Sequence, residues 1–337
     1  MADTFQVPKS ITADLIACST RDEWAAERAK SLGASEAASI LGASPHGSRV
    51  AVWADKIQPP TFAASEEWQE IKLLVEGPAL AFYQRKFGGE VRHWPQTWLL
   101  RSRDLPLHCT PDGLALDPDE DGWGLVQVKA WSEFDAAAWT DEPPLYVQVQ
   151  VQTELAVTGL QWAYVAVLFG TQRLARFRVA RNERFIAALV RAAREFWAMV
   201  ESQTEPPLDG SEATTRALAR LHPNDDGSAV LLPPDADRLL ERRERLASLA
   251  KRVDDVKSGI DNQLRAWIGD ATYGITSGER AVSWKSQTRK SYTVAESTYR
   301  TLRACKVPKL LTWREPDAPA VLPAALPQLS APAEVLQ

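Results

Sequence analysis

Cysteine and histidine are scarce. The three cysteines, Cys18, Cys109 and Cys305, are scattered with no zinc-type spacing, and the four histidines are scattered as well, which argues against a histidine-based metal centre. A reducing cytoplasm is the expected setting for such cysteine usage. No run approaches the ~18 apolar residues of a membrane span, and no signal-peptide pattern opens the chain, so no membrane partner is expected. Positive charge is not in excess: the net charge of −5 does not advertise a nucleic-acid-binding protein.

What is present is an ordinary globular composition, 45% apolar and 25% charged over 337 residues, enough for one large domain and an appendage. Thirteen tryptophans is high. Core and domain packing accounts for most of them, with stacking on nucleic-acid bases as the alternative. Charge is uneven. Residues 237–314 hold 17 Lys and Arg against 9 Asp and Glu. A local basic surface matters more for phosphate binding than the global sum.

Residues 1–19 read as a loosely attached arm. Residues 21–30 read as a helix with Trp24 and Arg28 one turn apart. Gly33-Ala34-Ser35 is a break, and Ser35 is placed to N-cap a helix running to Leu41. A helix opening at Ser65-Glu66-Glu67 runs to Phe87, with a kink expected near Gly77 because Pro78 follows. Strands are expected at Glu90–His93, Trp98–Arg101 and Leu107–Cys109. Residues 145–157 alternate Val and Gln like a strand, yet Gln152, Leu155, Ala156 and Gly159 also fit a period of 3.6, and a helix is expected. A hairpin over 162–179 and an amphipathic helix over 182–202 follow. Residues 206–234 have linker composition, with a helical stretch Glu212–Leu221 inside them. Residues 235–269 carry a heptad seam: Leu246, Val253, Ile260 and Trp267 lie seven apart, with Leu249, Val256 and Gln263 offset by three. This predicts a long helix packed within its module or against another subunit or partner. A β-hairpin around Ser277-Gly278 and a helix over 294–304 complete a basic module, 235–314. Residues 315–337 are rich in Ala and Pro and are expected to be disordered.

The most informative stretch runs from Cys109 to Ala130. A Pro111-Asp112-Gly113 turn opens a short apolar run, turn residues follow, and 123–130 then reads as a strand. Alternate side chains of a strand face one way, so Gln127 and Lys129 project together, away from Val126 and Val128. A hairpin brings Asp112 beside that pair. An acid, a second oxygen ligand and a lysine on one sheet edge suit metal-assisted phosphodiester hydrolysis. The acid holds Mg²⁺, and the lysine orients or deprotonates the nucleophile. Lys129 between Val128 and Ala130 is hard to explain as structure, because a charged group on an apolar strand costs desolvation unless paired.

This stretch resembles the signature of the PD-(D/E)XK nucleases, an Asp, a variable spacer and then Glu-x-Lys. With Gly33-Ala34-Ser35-Glu36, Ile40-Leu41-Gly42, Glu76-Gly77-Pro78 and Gln150-Val151-Gln152 in order, residues 20–200 resemble the YqaJ-type viral recombinases, the branch that includes the lambda-phage exonuclease. The resemblance implies an α/β domain over residues 20–205, with a central mixed sheet flanked by helices. It implies 5′-to-3′ exonuclease action on double-stranded DNA ends in phage-type recombination within a bacterial host. The implied cofactor is a pair of Mg²⁺ ions for which Mn²⁺ substitutes. The implied partners are a homo-oligomeric ring and a single-strand annealing protein. It implies Glu76, Asp112, Gln127 and the Val128 carbonyl as metal ligands, with Lys129 and Gln150 completing the catalytic set. Arg28, Ser35 and Gln152 are implied on the DNA side, Arg28 and Ser35 at the 5′ phosphate. The basic residues Arg280, Lys285, Arg289 and Lys290, on and after the second hairpin, are read as backbone contacts.

Bland readings stand beside these. Asp112 alone is a turn former, Glu76 a solvated helix acid, Gln150 and Gln152 a polar helix face, Arg28 a surface arginine and Ser35 a cap. Gln127 departs from the family's acidic residue, and three readings are open. It is a weaker natural ligand, an engineered Glu→Gln change, or the mark of a nuclease-derived protein that no longer cuts. A non-catalytic DNA- or partner-binding recombination factor and a restriction-type endonuclease are the rival functions.

Overall fold

The computed structural model describes residues 5–59, 67–132, 139, 141–170, 172–289, 299–300, 302–303, 305 and 312–313. The chain divides into two compact units, the first running to Pro223 and the second beginning at Asn224.

In the first unit the elements are β1 (Asp14–Ala17), α1 (Arg21–Ala29), β2 (Leu32–Gly33), α2 (Ala37–Ile40), α3 (Arg49–Ile57), α4 (Glu67–Phe87), β3 (Glu90–His93), β4 (Trp98–Arg101), β5 (Leu107–Cys109), β6 (Gly113–Leu116), β7 (Trp123–Trp131), α5 (Leu145–Thr158), β8 (Trp162–Phe169), β9 (Arg173–Ala180), α6 (Glu183–Glu201) and α7 (Glu212–Leu221). The main sheet has the order β3-β6-β7-β8-β9, and a smaller sheet has the order β1-β4-β5-β2. β7 and β8 are parallel and joined by α5, the crossover that parallel neighbours require. β6 and β7 are antiparallel with Gly113 opposite Val126, which sets Asp112 at the level of Gln127.

Helices cover both faces of the main sheet, so the expected mixed α/β architecture is present. Leu125, Val165 and Val167 face a large cluster with Val147, Val151 and Leu155 of α5. Val126, Val128 and Tyr164 face a second cluster with Ala79, Leu80 and Tyr83 of α4. α5 is a helix, and its strand-like alternation has a physical cause. It is buried on nearly every side, Val147, Val149, Val151, Thr153 and Leu155 alike, so it shows no single apolar stripe. Gly159 ends it at φ +79°.

Three expectations are corrected here. The N-terminal stretch is not a loose arm: β1 pairs with β4, the Thr12 amide donates to the Thr158 carbonyl at 3.0 Å, and Phe5 packs edge-on against Trp94. Ser35 does not cap a helix. It lies in a 3-10 turn, Ala34–Glu36, and the Glu36 carboxylate accepts the Gly33 amide at 2.7 Å. The linker begins later than composition suggested. α7 packs on α3 through the Thr214 hydroxyl, which donates to Ser48 Oγ at 2.8 Å, through buried Ala217, and through the Arg220–Asp55 ion pair.

The second unit contains β10 (Ser228–Ala229), α8 (Ala236–Ile268), β11 (Tyr273–Ile275), β12 (Ala281–Ser283) and β13 (Thr312–Trp313). β11 and β12 form the expected hairpin, and β10 pairs in parallel with β13. The long helix is there, but its seam is not packed: no residue of α8 is buried. Of the helix expected over 294–304, the residues described, Tyr299, Arg300, Leu302 and Arg303, are not helical. The remainder of that stretch, Lys290 and the tail from 315 lie outside the described residues. Among the described residues no helix is long and apolar enough to cross a membrane.

Candidate active site

Strand pairing builds the site. Asp112 occupies the turn between β5 and β6, just before the first paired residue of β6, where among the described residues no strand pairs with β7 on that side. The Asp112 carboxylate takes that neighbour's place: Oδ2 accepts the Val128 amide at 2.7 Å and the Gln127 side-chain amide at 2.5 Å. In an extended strand the N–H and C=O of one residue point to the same side, so the Val128 carbonyl also faces Asp112. Gln127 Oε1 is buried and has no hydrogen-bond partner among the described residues.

Lys129, two residues on, donates to Gln150 Oε1 at 2.9 Å, and Gln150 Nε2 donates in turn to Glu154 Oε1 at 2.9 Å. Gln150 and Glu154 lie one turn apart on α5, so the helix delivers a two-residue strut to the lysine. Glu76 arrives from α4 and accepts a hydrogen bond from Gln96 Nε2 at 3.1 Å, with His93 Nε2 at 3.9 Å.

These acids crowd one another. Burial first, and Glu76 second, push the Asp112 carboxyl up to about 7. Burial first, then Asp112, push Glu154 up to about 8, and burial raises Glu76 as well. Three carboxyl groups held toward their protonated forms mark a place that favours a cation.

Glu76, Asp112, Gln150 and Glu154 line a cleft of about 150 Å³ together with Arg21, Trp24, Arg28 and Ser35. The Arg21 and Arg28 guanidinium carbons lie 4.0 and 4.5 Å from the Trp24 ring centroid. Trp24 is fixed by its Nε1, which donates to Thr110 Oγ1 at 3.2 Å. Behind Arg28, Glu36 pairs with it at 3.5 Å and with Lys56 at 2.8 Å. Despite its own burial Glu36 is pulled down to about 2, by Lys56 above all and then Arg28. His108, buried and beside Ser31 Oγ at 2.9 Å, is pushed down to about 3 by desolvation and stays neutral. The cleft therefore brings carboxyl groups and guanidinium groups together, the two kinds of group that a metal-bound phosphodiester needs.

Residues 23–161 match the family model of the YqaJ-like viral recombinase domain. Over this segment the chain is similar to that family. A relative is the uncharacterized protein YqaJ of Bacillus subtilis, 27% identical over 278 residues that cover 79% of this chain and 83% of the relative. Among solved structures, the alkaline exonuclease LHK-Exo of Laribacter hongkongensis is similar at 23% identity and TM-score 0.44, covering 59% of this chain and 99% of that one. It has also been solved in complex with dAMP. A phage-related exonuclease of Haemophilus somnus is similar at 11% identity and TM-score 0.39, covering 51% of this chain and 96% of that one.

The YqaJ-like segment contains every residue expected at the catalytic site. The structure brings together Glu76, Asp112, Gln127, Val128, Lys129 and Gln150, and it sets Arg28 and Ser35 in the lining of the same cleft. Gln152 is not brought there. Its Nε2 donates to the Ala180 carbonyl at 2.7 Å and its Oε1 accepts the Asn182 amide at 3.0 Å, so it ties α5 to the end of β9; the expected DNA contact is corrected to a structural one. Arg280, Lys285 and Arg289 belong to the second unit, where the Lys285 ammonium lies 4.7 Å from the Tyr273 ring centroid. Arg21, Trp24, Glu36, Lys56 and Glu154 join the site without having been expected there. Glu154 had a signal, the single charged residue of α5, one turn after Gln150; Lys56 had none.

Proposed function

We propose that the YqaJ-like domain hydrolyses phosphodiester bonds at double-stranded DNA ends, running 5′ to 3′ in phage-type recombination and leaving a 3′ strand for an annealing protein. The single observation that carries this reading is the convergence of Asp112, Gln127, Lys129, Glu76 and Gln150 at a cleft that Arg21 and Arg28 also line.

Among the described residues no three His, Cys, Asp or Glu side chains cluster closely enough to hold a metal unaided. The donor set nonetheless suits Mg²⁺ or Mn²⁺. It offers two carboxylates, the partnerless amide oxygen of Gln127 and the Val128 carbonyl, all hard oxygens. The second ion of the expected pair would draw its remaining ligands from the bound phosphate. When bound, the cation neutralises the scissile phosphate and activates water. Lys129, braced by Gln150 and Glu154, orients or deprotonates the nucleophile. Arg28, with Arg21 beside it and Ser35 adjacent, receives the terminal 5′ phosphate through the guanidinium fork. Encirclement of the duplex by a ring of subunits would keep the enzyme on one end through many cuts.

An assay with end-labelled linear duplex tests the proposal. Nucleotide release with Mg²⁺ or Mn²⁺ is expected, and Asp112→Ala and Lys129→Ala should each reduce it by roughly a hundredfold or more. Cleavage that persists in EDTA, or is untouched by both changes, would remove the metal mechanism. Removing the 5′ phosphate should slow digestion, and Arg28→Ala should abolish that sensitivity; indifference of the unaltered protein to 5′ phosphorylation would sink the end-recognition assignment. Gln127 favours one second reading, a weakened or non-cutting DNA-binding factor. End binding without label release at any Mg²⁺ or Mn²⁺ concentration would establish it.

A further inference from the structure

The exposed face of α8 is the largest feature that the cleft does not explain. Leu246, Leu249, Val253, Val256, Ile260 and Trp267 occupy a and d positions of successive heptads, and all are exposed: Leu246 at 44%, Val256 at 67% and Trp267 at 74%. A seam of six large apolar side chains on one stripe of a 33-residue helix is a surface awaiting a second helix.

The flanks of the seam say what kind of helix. With Leu246 at a, the e and g positions include Arg238, Arg243, Arg245, Arg252 and Lys257, and none of them in this helix is acidic. The acids Asp254, Asp255 and Asp261 sit at b and c positions, away from the seam. In a parallel pair of two copies, Arg238 would face Arg243 and Arg252 would face Lys257. An antiparallel pair would also set basic flank against basic flank. Both arrangements put like charges across the interface, which opposes self-pairing. DNA would match the charge but would leave the aliphatic stripe in water. Gln263, at a d position, adds a polar site that fixes register against a polar partner residue. From Leu246 to Trp267 the stripe is about 32 Å long, the length of three heptads.

We infer that α8 is a docking surface for a partner protein that presents an amphipathic helix of about three heptads with an apolar seam and acidic flanks. This goes beyond the nuclease reading and does not depend on it. The heptad seam supplies the burial, and the five basic flanking residues select the partner and its orientation.

The test uses the full chain and a designed peptide of four heptads, with Leu at a and d and Glu at e and g, labelled for fluorescence anisotropy. The same peptide with Lys at e and g is the control. The acidic peptide should bind one to one and at least tenfold more tightly than the basic one, with affinity falling as salt rises. Val253→Glu with Val256→Glu, which keeps helix-forming residues at exposed positions, should cost at least tenfold in peptide affinity. It should leave the helical circular dichroism and the cleavage rate unchanged. Arg245→Glu with Arg252→Glu and Lys257→Glu should reverse the preference, so that the basic peptide binds better. Failure of the acidic peptide to bind, or equal binding of both peptides, would overturn the inference. So would a dimer in sedimentation that the double variant dissolves, which would assign the face to a second copy. Loss of duplex affinity in the double variant would assign it to DNA.

Discussion

An amide beside Asp112 changes what that acid can be. Gln127 Nε2 donates to Asp112 Oδ2, so without a cation the amide supports the carboxylate, whereas a Glu in its place would repel it. Gln127→Glu should therefore lower the melting temperature in EDTA, and added Mg²⁺ should raise it more steeply than in the parent. The variant should also cut faster at low Mg²⁺. Thermal denaturation against a Mg²⁺ titration measures this, and an unchanged metal dependence would mean that position 127 is not a ligand. Glu154 gives a prediction in pH. Its carboxyl titrates near 8 in the folded chain against about 4.3 in an unfolded one. Between those values the folded state keeps a proton that the unfolded state has released, so this group's contribution to stability is full below about 4.3 and is lost as pH rises toward 8. Glu154→Gln keeps an oxygen acceptor for Gln150 and removes the titration. In EDTA, the variant should gain stability relative to the parent as pH rises from 5 to 8. Parallel pH profiles for the two proteins would show that Glu154 is ionised throughout.

At the level of the element, the hairpin of β6 and β7 was legible because two signals agreed, a Pro-Asp-Gly turn and an alternating strand, and a two-residue period leaves one choice of which side chains share a face. That choice gave the positions of Asp112, Gln127 and Lys129. α5 was ambiguous by period because it is buried all round, and the 3.6 spacing of Gln152, Leu155, Ala156 and Gly159, with the resemblance, favoured a helix. β1 was illegible because Asp14–Ala17 is a short edge strand with mostly exposed side chains, stabilised by pairing with a segment more than eighty residues away, which no local pattern encodes. Lys56 and Glu36 were unreadable for the same reason: their partnership with Arg28 is tertiary. Gly124 in β7 shows how tightly this element is set. A Cβ there would enter the Trp162 ring on β8, and Trp162 is anchored by its Nε1, which donates to the Asp121 carbonyl at 3.1 Å. Gly124→Ala should cost about 1–3 kcal/mol by overpacking. It should slow cleavage as well, since β7 carries Gln127 and Val128, two of the proposed ligands. A denaturant midpoint equal to the parent's would show that the ring moves freely.

For the whole molecule, the boundary between the two units decides which fragment is informative. Composition placed the end of the nuclease domain near residue 205, but α7 belongs to the first unit and closes over α3 through Thr214, Ala217 and Arg220. Truncation after Ser202 should therefore uncover that face and lower the melting temperature by several degrees, roughly what a loss of 1–2 kcal/mol produces in a domain of this size. Truncation after Pro223 should melt like the first unit of the full chain and keep metal-dependent cleavage, because every cleft residue remains. What it should lose is grip. On our reading the basic balance of residues 237–314, with Arg280, Lys285 and Arg289 on and just after the hairpin, would neutralise phosphates of the DNA backbone. Each phosphate that is no longer neutralised flattens the dependence of log affinity on log salt by about 0.9. The Pro223 fragment should bind duplex more weakly, with a slope shallower by at least that amount. If affinity and slope are unchanged, the second unit is no DNA clamp. Its charge would then serve the apolar seam of α8, where the arginines of the same unit choose an acidic partner.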